Sequence, residues 1–427
     1  MKLVNQLLNY KFHNYEYLAI ILFIILPVSF IFGNAFVNLN IVLLNLLALF
    51  YCFKFKYWKW LKKDIFLYLI ILYAYLLLNS TYAHFFKSYE YNDGILRSLF
   101  FIKFILLVLS FEILLKNKIV LSLVYKSWFL IISIFIFDVL FEKIFGQNIL
   151  GNISPDGTRI VSFFKDELVV GAFLFCFGFT TIAYFLSQNN IKYFKIIVAF
   201  FLILIPITVF LSGEKSNFIK SFILFFCIVT FIETNKLYLN KKLLFGIFIS
   251  LIVIFLLTTK YTLSKYSETF YRIQAGEKSN NFYQKFENIK YFAHYETAIS
   301  IFKNNPVVGV GNKNFRNECG KEEYYRKNLK FSQSRCSTHP HQIHFEILSE
   351  QGLLGYFLIL LIMILFLKQN LKFYFKTRNI YHLSNIIYLI LFFVPLLPGG
   401  GIFSTFSGSM FWIIFAICNL NYENQNS

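Results

Sequence analysis

Charge is scarce in this chain. Charged side chains make up 15% of its 427 residues. A soluble domain of this size carries about a quarter, so that class is excluded. No cleavable secretory signal is legible. Met1 to Tyr17 is polar and amphipathic, with Lys2 and Lys11, and reads as a cytoplasmic lead-in; the first apolar run after it is expected to stay as a helix. No internal repeat is visible, which counts against a transporter built from repeated halves.

What fills the chain instead is apolar: 57% of residues are hydrophobic. Apolar runs recur from one end to the other, near the roughly 20 residues that a bilayer crossing needs. In lipid the backbone must satisfy its own hydrogen bonds, so such runs must be helices. Spans are expected near 17–35, 39–53, 65–80, 98–115, 119–141, 167–187, 195–211, 216–233, 243–259, 347–367, 383–398 and 403–420. The fold class is therefore all-α, a polytopic membrane protein of about twelve transmembrane helices. The 57 Phe and 28 Tyr rise together with Ile, Lys and Asn. That is the signature of an AT-rich genome, so the aromatic runs are not read as ligand platforms.

Positive charge orients the spans. One set of alternate segments holds 18 Lys and Arg, among them Lys54, Lys62, Lys116, Lys241, Lys372 and Arg378. The opposite short segments hold six: Lys87, Arg97, Lys143, Arg159, Lys165 and Lys215. Both termini are expected in the cytoplasm, and much of the formal charge of +19 follows from this topology. Residues 1–259 then carry helices 1–9, residues 260–346 form a large outer, periplasmic loop, and residues 347–427 carry helices 10–12 and a short cytoplasmic tail. The loop carries 14 Lys and Arg against seven Glu before residue 346, but long loops translocate regardless of charge. Tyr291, Tyr295, Ala298 and Phe302 fall at helical spacing, and Pro306 with Gly309 and Gly311 stops that helix. Short helices lying on the membrane face are expected there.

Cys52, Cys176, Cys227 and Cys418 lie in or beside spans, where a thiol is most often an apolar filler. Cys319 and Cys336 are the pair in the polar loop. That loop faces an oxidising compartment, so a disulfide between them is expected.

Three of the chain's seven His fall within six residues, His339, His341 and His344, just before a span. A zinc site is one reading, since His341 and His344 are an i, i+3 pair. Pro340 makes the first two diverge, and no close Cys or Asp completes a ligand set. An inert surface loop is a second reading. A general base is the third: an imidazole titrates near working pH and could take a proton from an acceptor hydroxyl. Arg159 and Lys215 are lone outer cations at helix ends. Each could be a snorkelling anchor or could bind pyrophosphate, Arg as a fork and Lys as a point charge. Gly352 and Gly355 are expected to allow close helix contact.

His341-Gln342, nine residues, then Gly352-Leu353-Leu354-Gly355 resembles the His-(Asn/Ser/Gln)-x9-Gly-x-x-Gly signature of the O-antigen ligase and polymerase superfamily. Asn305-Pro306-Val307-Val308-Gly309-Val310-Gly311 resembles its Asn-Pro-x-x-Gly-x-Gly turn. The run Phe315 to Cys319, with Cys336 to His341, looks like one branch of it. Gly157 to Gly171 resembles its Arg-x-x-Gly-x-Phe region, with Ser162 in place of Gly. Ser212 to Ser216 is similar to its Ser-Gly-x-Arg-Ser turn, with Lys215 in place of Arg. Many ligases carry an Arg where this chain has Tyr291, flanked by Lys290 and His294.

The resemblance implies an inverting, metal-independent glycosyltransferase of the bacterial inner membrane with no cofactor. It implies undecaprenyl-pyrophosphate-linked glycan as donor, an acceptor glycan or lipid A core, and membrane lipid around it; no nucleic-acid partner is expected. It implies His341 as the catalytic base, Arg159 and Lys215, with Lys290 or Arg316, against the diphosphate, and His339, Gln342 and His294 in support. A ligase and a repeat-unit polymerase share all of this. From another class, a lipid-linked oligosaccharide flippase would use cations within spans, such as Lys103 and Lys126, but has no evident use for the loop. A structural scaffold leaves the His signature unexplained.

Overall fold

A computed structural model describes residues 14–87, 94–155, 157, 159–165, 167–188, 192–233, 240–258, 290–326 and 331–426. The expected loop residues 260–289 therefore lie outside the described residues. Among those described there is no strand.

Each of the twelve expected spans has a helix. They are α1 Asn14–Ile31, α2 Asn34–Phe55, α3 Asp64–Phe86, α4 Gly94–Leu114, α5 Lys118–Phe145, α6 Val170–Ser187, α7 Lys192–Leu211, α8 Lys215–Phe231 and α9 Lys241–Thr258. The loop helices α10 Lys290–Asn304 and α11 Phe315–Glu318 follow, then α12 Ile343–Thr377, α13 Ile380–Phe392 and α14 Phe406–Asn426. Seven of these helices are long and apolar enough to cross a membrane. Their outward faces fit lipid: in α12, Phe357, Leu361 and Ile364 follow helical spacing and are exposed. Such a row of large apolar side chains would be costly in water.

Inside the bundle, aromatic edges and helix-to-helix hydrogen bonds hold the core. Trp128 on α5 donates to the Phe23 carbonyl on α1 at 2.8 Å. Lys103, within α4, donates to Asn38 of α2 at 2.7 Å, and Asn45 donates back to the Lys103 carbonyl at 2.8 Å. Polar pairs of this kind join helices where lipid offers no partner. Lys103 is thereby absorbed by packing.

The loop has a small core of its own. Ala298 and Ile301 of α10 pack with Val310, Phe315, Cys319 and Tyr324, and Phe345 of α12 leans on them. This is why α10 forms as the Tyr295 and Ala298 spacing anticipates: its apolar stripe has a surface to cover.

One expectation needs correction. Gly352 does not serve close helix contact; it breaks α12, with φ 64° and ψ −167°. The break opens the helix ladder, and the turn 306–311 fills it. Leu353 N–H donates to the Pro306 carbonyl at 2.8 Å and Leu354 N–H to Val307 at 3.2 Å. In return Val310 N–H donates to Ser349 at 3.0 Å and Gly311 N–H to Glu350 at 2.9 Å. Four backbone groups freed by the break thus find partners. The Glu350 side chain completes the clasp, accepting from Lys313 N–H at 2.8 Å and Phe315 N–H at 3.3 Å. Gly355 does make a close approach: a Cβ there would stand 2.7 Å from the Tyr75 ring of α3.

Candidate active site

The histidine-bearing loop enters α12 through Gln342. Its side-chain carbonyl accepts from His344 N–H at 2.7 Å and Phe345 N–H at 3.1 Å, the bonding of an N-cap. Gln342 is occupied as a cap, and its amide group reaches the Val394 carbonyl at 3.4 Å. It therefore supports the site by fixing where α12 starts.

His341, one residue earlier, is held in the left-handed region at φ 59°. A non-glycine residue there is uncommon and is sustained only by its surroundings. Its carbonyl accepts from Gly399 N–H at 2.8 Å. Its Nε2 lies 3.0 Å from Ser337 Oγ. The ring lines a cavity of about 320 Å³ with Tyr291, His294, Ser334, Cys336 and Ser337. Around it, ring centroids of His339, His294 and Tyr291 stand at 4.4, 5.2 and 5.3 Å. His294 is anchored by the Arg335 carbonyl at 2.9 Å. Among the described residues no group of three or more His, Cys, Asp or Glu is arranged to hold a metal ion.

His339 touches the Gly399 carbonyl at 3.4 Å. Burial pushes its imidazole below its ordinary value; Glu346 opposes this and Lys313 adds to it. Those two form a buried ion pair at 2.5 Å beneath the loop. His344 turns away, its Nε2 2.7 Å from the Phe393 carbonyl and its Nδ1 3.0 Å from Tyr356. His344 thus points away from the other two, whereas His339 and His341 stand ring beside ring across Pro340 with centroids 4.4 Å apart, contrary to the divergence expected there.

The disulfide Cys319–Cys336 is formed, with Cα atoms 5.3 Å apart. Arg335 reinforces it, donating to the Cys319 carbonyl at 2.9 Å and Gly320 at 3.0 Å. Cys336 is itself part of the cavity wall, so the bond ties the surroundings of His341 to α11.

Arg159 sits in a tightly clamped loop. Glu142 of α5 accepts from Val161 N–H at 3.1 Å and Ser162 N–H at 2.5 Å. Asp138, one turn earlier, accepts from Ser162 Oγ at 2.5 Å and Ile149 N–H at 2.8 Å. Ser162 has φ 50°, which explains a Gly at the matching place in the family's pattern. Ile160 N–H donates to the Ser212 carbonyl at 3.3 Å, laying this loop beside the Ser212–Ser216 turn. Arg159's charge acts on Glu214, which also binds Gly171 N–H at 2.5 Å and Asn217 at 2.6 Å. Burial raises the Glu214 carboxyl; these contacts pull it back.

Lys215 opens α8 next to Glu214. Ser216 then donates to the Pro398 carbonyl at 2.5 Å. Pro398 precedes Gly399, the residue that holds the His341 carbonyl. The arginine loop, the lysine turn and the histidine therefore share one neighbourhood, joined through residues 398–399.

The remaining expected cations are less engaged. Arg316 is on α11 and is not among the residues lining the His341 cavity. Lys290 begins α10, but its side chain lies outside the described residues. Tyr291 occupies the cavity wall where a ligase Arg was noted. The glycine loop 399–401 carries no motif signal, and only the fold reveals its part.

The described residues thus combine seven helices long and apolar enough to cross a membrane with a disulfide-tied polar loop and a histidine-lined cavity. Residues 198–360 match the family model described as O-Antigen ligase. This supports the O-antigen ligase superfamily and a role in glycan processing at a membrane. The match takes in Lys215, Asn305–Gly311, His341 and Gly352; Arg159 lies before it. No curated protein matches the chain.

Proposed function

We propose that the chain transfers glycan from undecaprenyl pyrophosphate to an acceptor hydroxyl at the outer face of the inner membrane, as a ligase does. Residues 1–259 and 347–427 supply the spans, residues 260–346 are periplasmic, and both termini are cytoplasmic. The observation that carries this reading is the junction at Pro398–Gly399, which links Ser216 beside Lys215 to the His341 carbonyl.

The chemistry is a single displacement with inversion and without metal. His341 Nε2 takes the proton of the acceptor hydroxyl; the Ser337 hydroxyl marks a direction from which an O–H reaches that nitrogen. The acceptor oxygen bonds to the sugar's anomeric carbon as that carbon's bond to the diphosphate breaks, and the diphosphate departs with the electron pair. Arg159 and Lys215 neutralise the charge that it gains. Electrostatic stabilisation is the larger contribution with so good a leaving group, and base catalysis adds roughly 10²–10⁴-fold.

The test uses purified protein in lipid discs with a lipid-diphosphate glycan. His341→Ala is expected to abolish transfer while the protein remains folded in the membrane. Transfer at the normal rate by this variant would sink the assignment. A product on lipid A core marks a ligase, and an extended repeat on the donor marks a polymerase.

A further inference from the structure

Lys220 is a cation that none of the motifs above includes. It lies in α8 five residues after Lys215, roughly 7.5 Å further along the helix. Its side chain is 5% exposed. Ser216 and Lys220 are four residues apart, so they share one face of α8. Ser216 binds the Pro398 carbonyl, and Lys220 Nζ would stand 3.3 Å from a Cβ placed on Gly399. The ammonium therefore comes up beneath the residue that holds His341. On its other side it stands 6.0 Å from the Phe392 ring.

Among the described residues no carboxylate or carbonyl accepts from Lys220. Its one recorded contact is that weak aromatic one. A buried cation without an anion is unfavourable by several kcal/mol in general. Lys220 itself therefore has no anionic partner among the described residues, while the nearby Glu214 is engaged by Gly171 and Asn217 and Glu346 by Lys313. Gly399 keeps the space over the ammonium open, since any side chain there would press on it. Lys215 opens the same helix, and the Ile160–Ser212 bond lays the Arg159 loop beside the Ser212–Ser216 turn.

We propose that Lys220 is a third contact for the donor's diphosphate, reaching it from within the bundle while Arg159 and Lys215 act from the loops. This rests on the proposed donor. It gives the site a compensation for Lys215, which binds as a point charge where the family's pattern has the fork of an Arg. The diphosphate is then held between α8 and the Pro398–Gly399 loop, with the glycan directed to the His341 cavity.

The test is equilibrium binding of undecaprenyl pyrophosphate to the full chain in lipid discs, without acceptor. Lys220→Met is expected to weaken binding on the order of 10–100-fold, the range for losing one hydrogen bond to a charged group. Lys220→Gln should match it, and serves if Met disturbs folding. Lys220→Arg should keep most of the affinity, because the charge remains. The loss should be smaller for undecaprenyl monophosphate. Neutral variants that bind within twofold of wild type overturn the proposal: Lys220 is then a buried stem, or it pairs with a phospholipid headgroup. Loss with Arg equal to loss with Met overturns it too, since shape rather than charge would then matter. If wild type itself does not distinguish the diphosphate from the monophosphate, the donor assignment fails first, and with it this role for Lys220.

Discussion

Gly309 and Gly352 meet backbone to backbone. A Cβ on Gly309 would lie 2.5 Å from the Glu350 carbonyl carbon, and one on Gly352 would lie 2.3 Å from the Val307 oxygen. Both residues also have positive φ, 69° and 64°. The contact locks the turn 306–311 into the break of α12 and sets the height of α10 against His341.

Gly309→Ala is expected to destabilise the protein by roughly 1–3 kcal/mol from overpacking, with about 1–2 kcal/mol more from the left-handed backbone. Gly146 separates the two terms, because it has φ 79° but open space around its missing Cβ. Thermal unfolding in detergent should therefore rank Gly309→Ala well below Gly146→Ala. Equal melting temperatures would mean that the interlock contributes nothing.

At Ser162 two effects oppose each other. The left-handed backbone favours Gly by about 1–2 kcal/mol, whereas the hydroxyl supplies a buried bond to Asp138 worth roughly 1 kcal/mol or more. Ser162→Gly loses only the bond; Ser162→Ala loses it and keeps the strain. The expected order in thermal stability and in donor KM is wild type or Gly best, and Ala worst. An Ala variant as good as Gly would show that this clamp does not place Arg159.

His339 gives a pH dependence. Burial holds its imidazole below the ordinary value of 6.5. The unfolded chain therefore binds a proton first as pH falls, so stability is full above about 6.5 and declines from there towards the folded value. Melting temperature measured from pH 7.5 to 5 should drop, and His339→Gln should flatten the lower part of the curve. A wild-type curve that stays level across this window would refute the effect.

Much of the site was legible in sequence because its parts are local. The run from Ser337 to Gly355 carries His341, the cap and the helix break within one stretch. Cys319 and Cys336 were paired by compartment alone. Gln342 is expected only as a supporting residue; that its side chain caps α12 shows only when the amides it accepts from are in place. Gly352 was misread as a packing glycine, because its partner Gly309 lies 43 residues earlier in the numbering. Lys220 gave no signal, as one Lys in an apolar stretch looks like any anchor.

Apolar runs and turn residues act on near neighbours, so each of the twelve spans expected from sequence has a helix among the described residues. The folded chain adds what chain order hides: the Arg159 loop, the turn that carries Lys215 and the His341 carbonyl are joined through Ser212, Pro398 and Gly399. These residues are distant in the chain and are brought together where α8 packs against α7 and α13. A backbone amide such as that of Gly399 carries no side chain to announce its role, so no residue pattern could have named it.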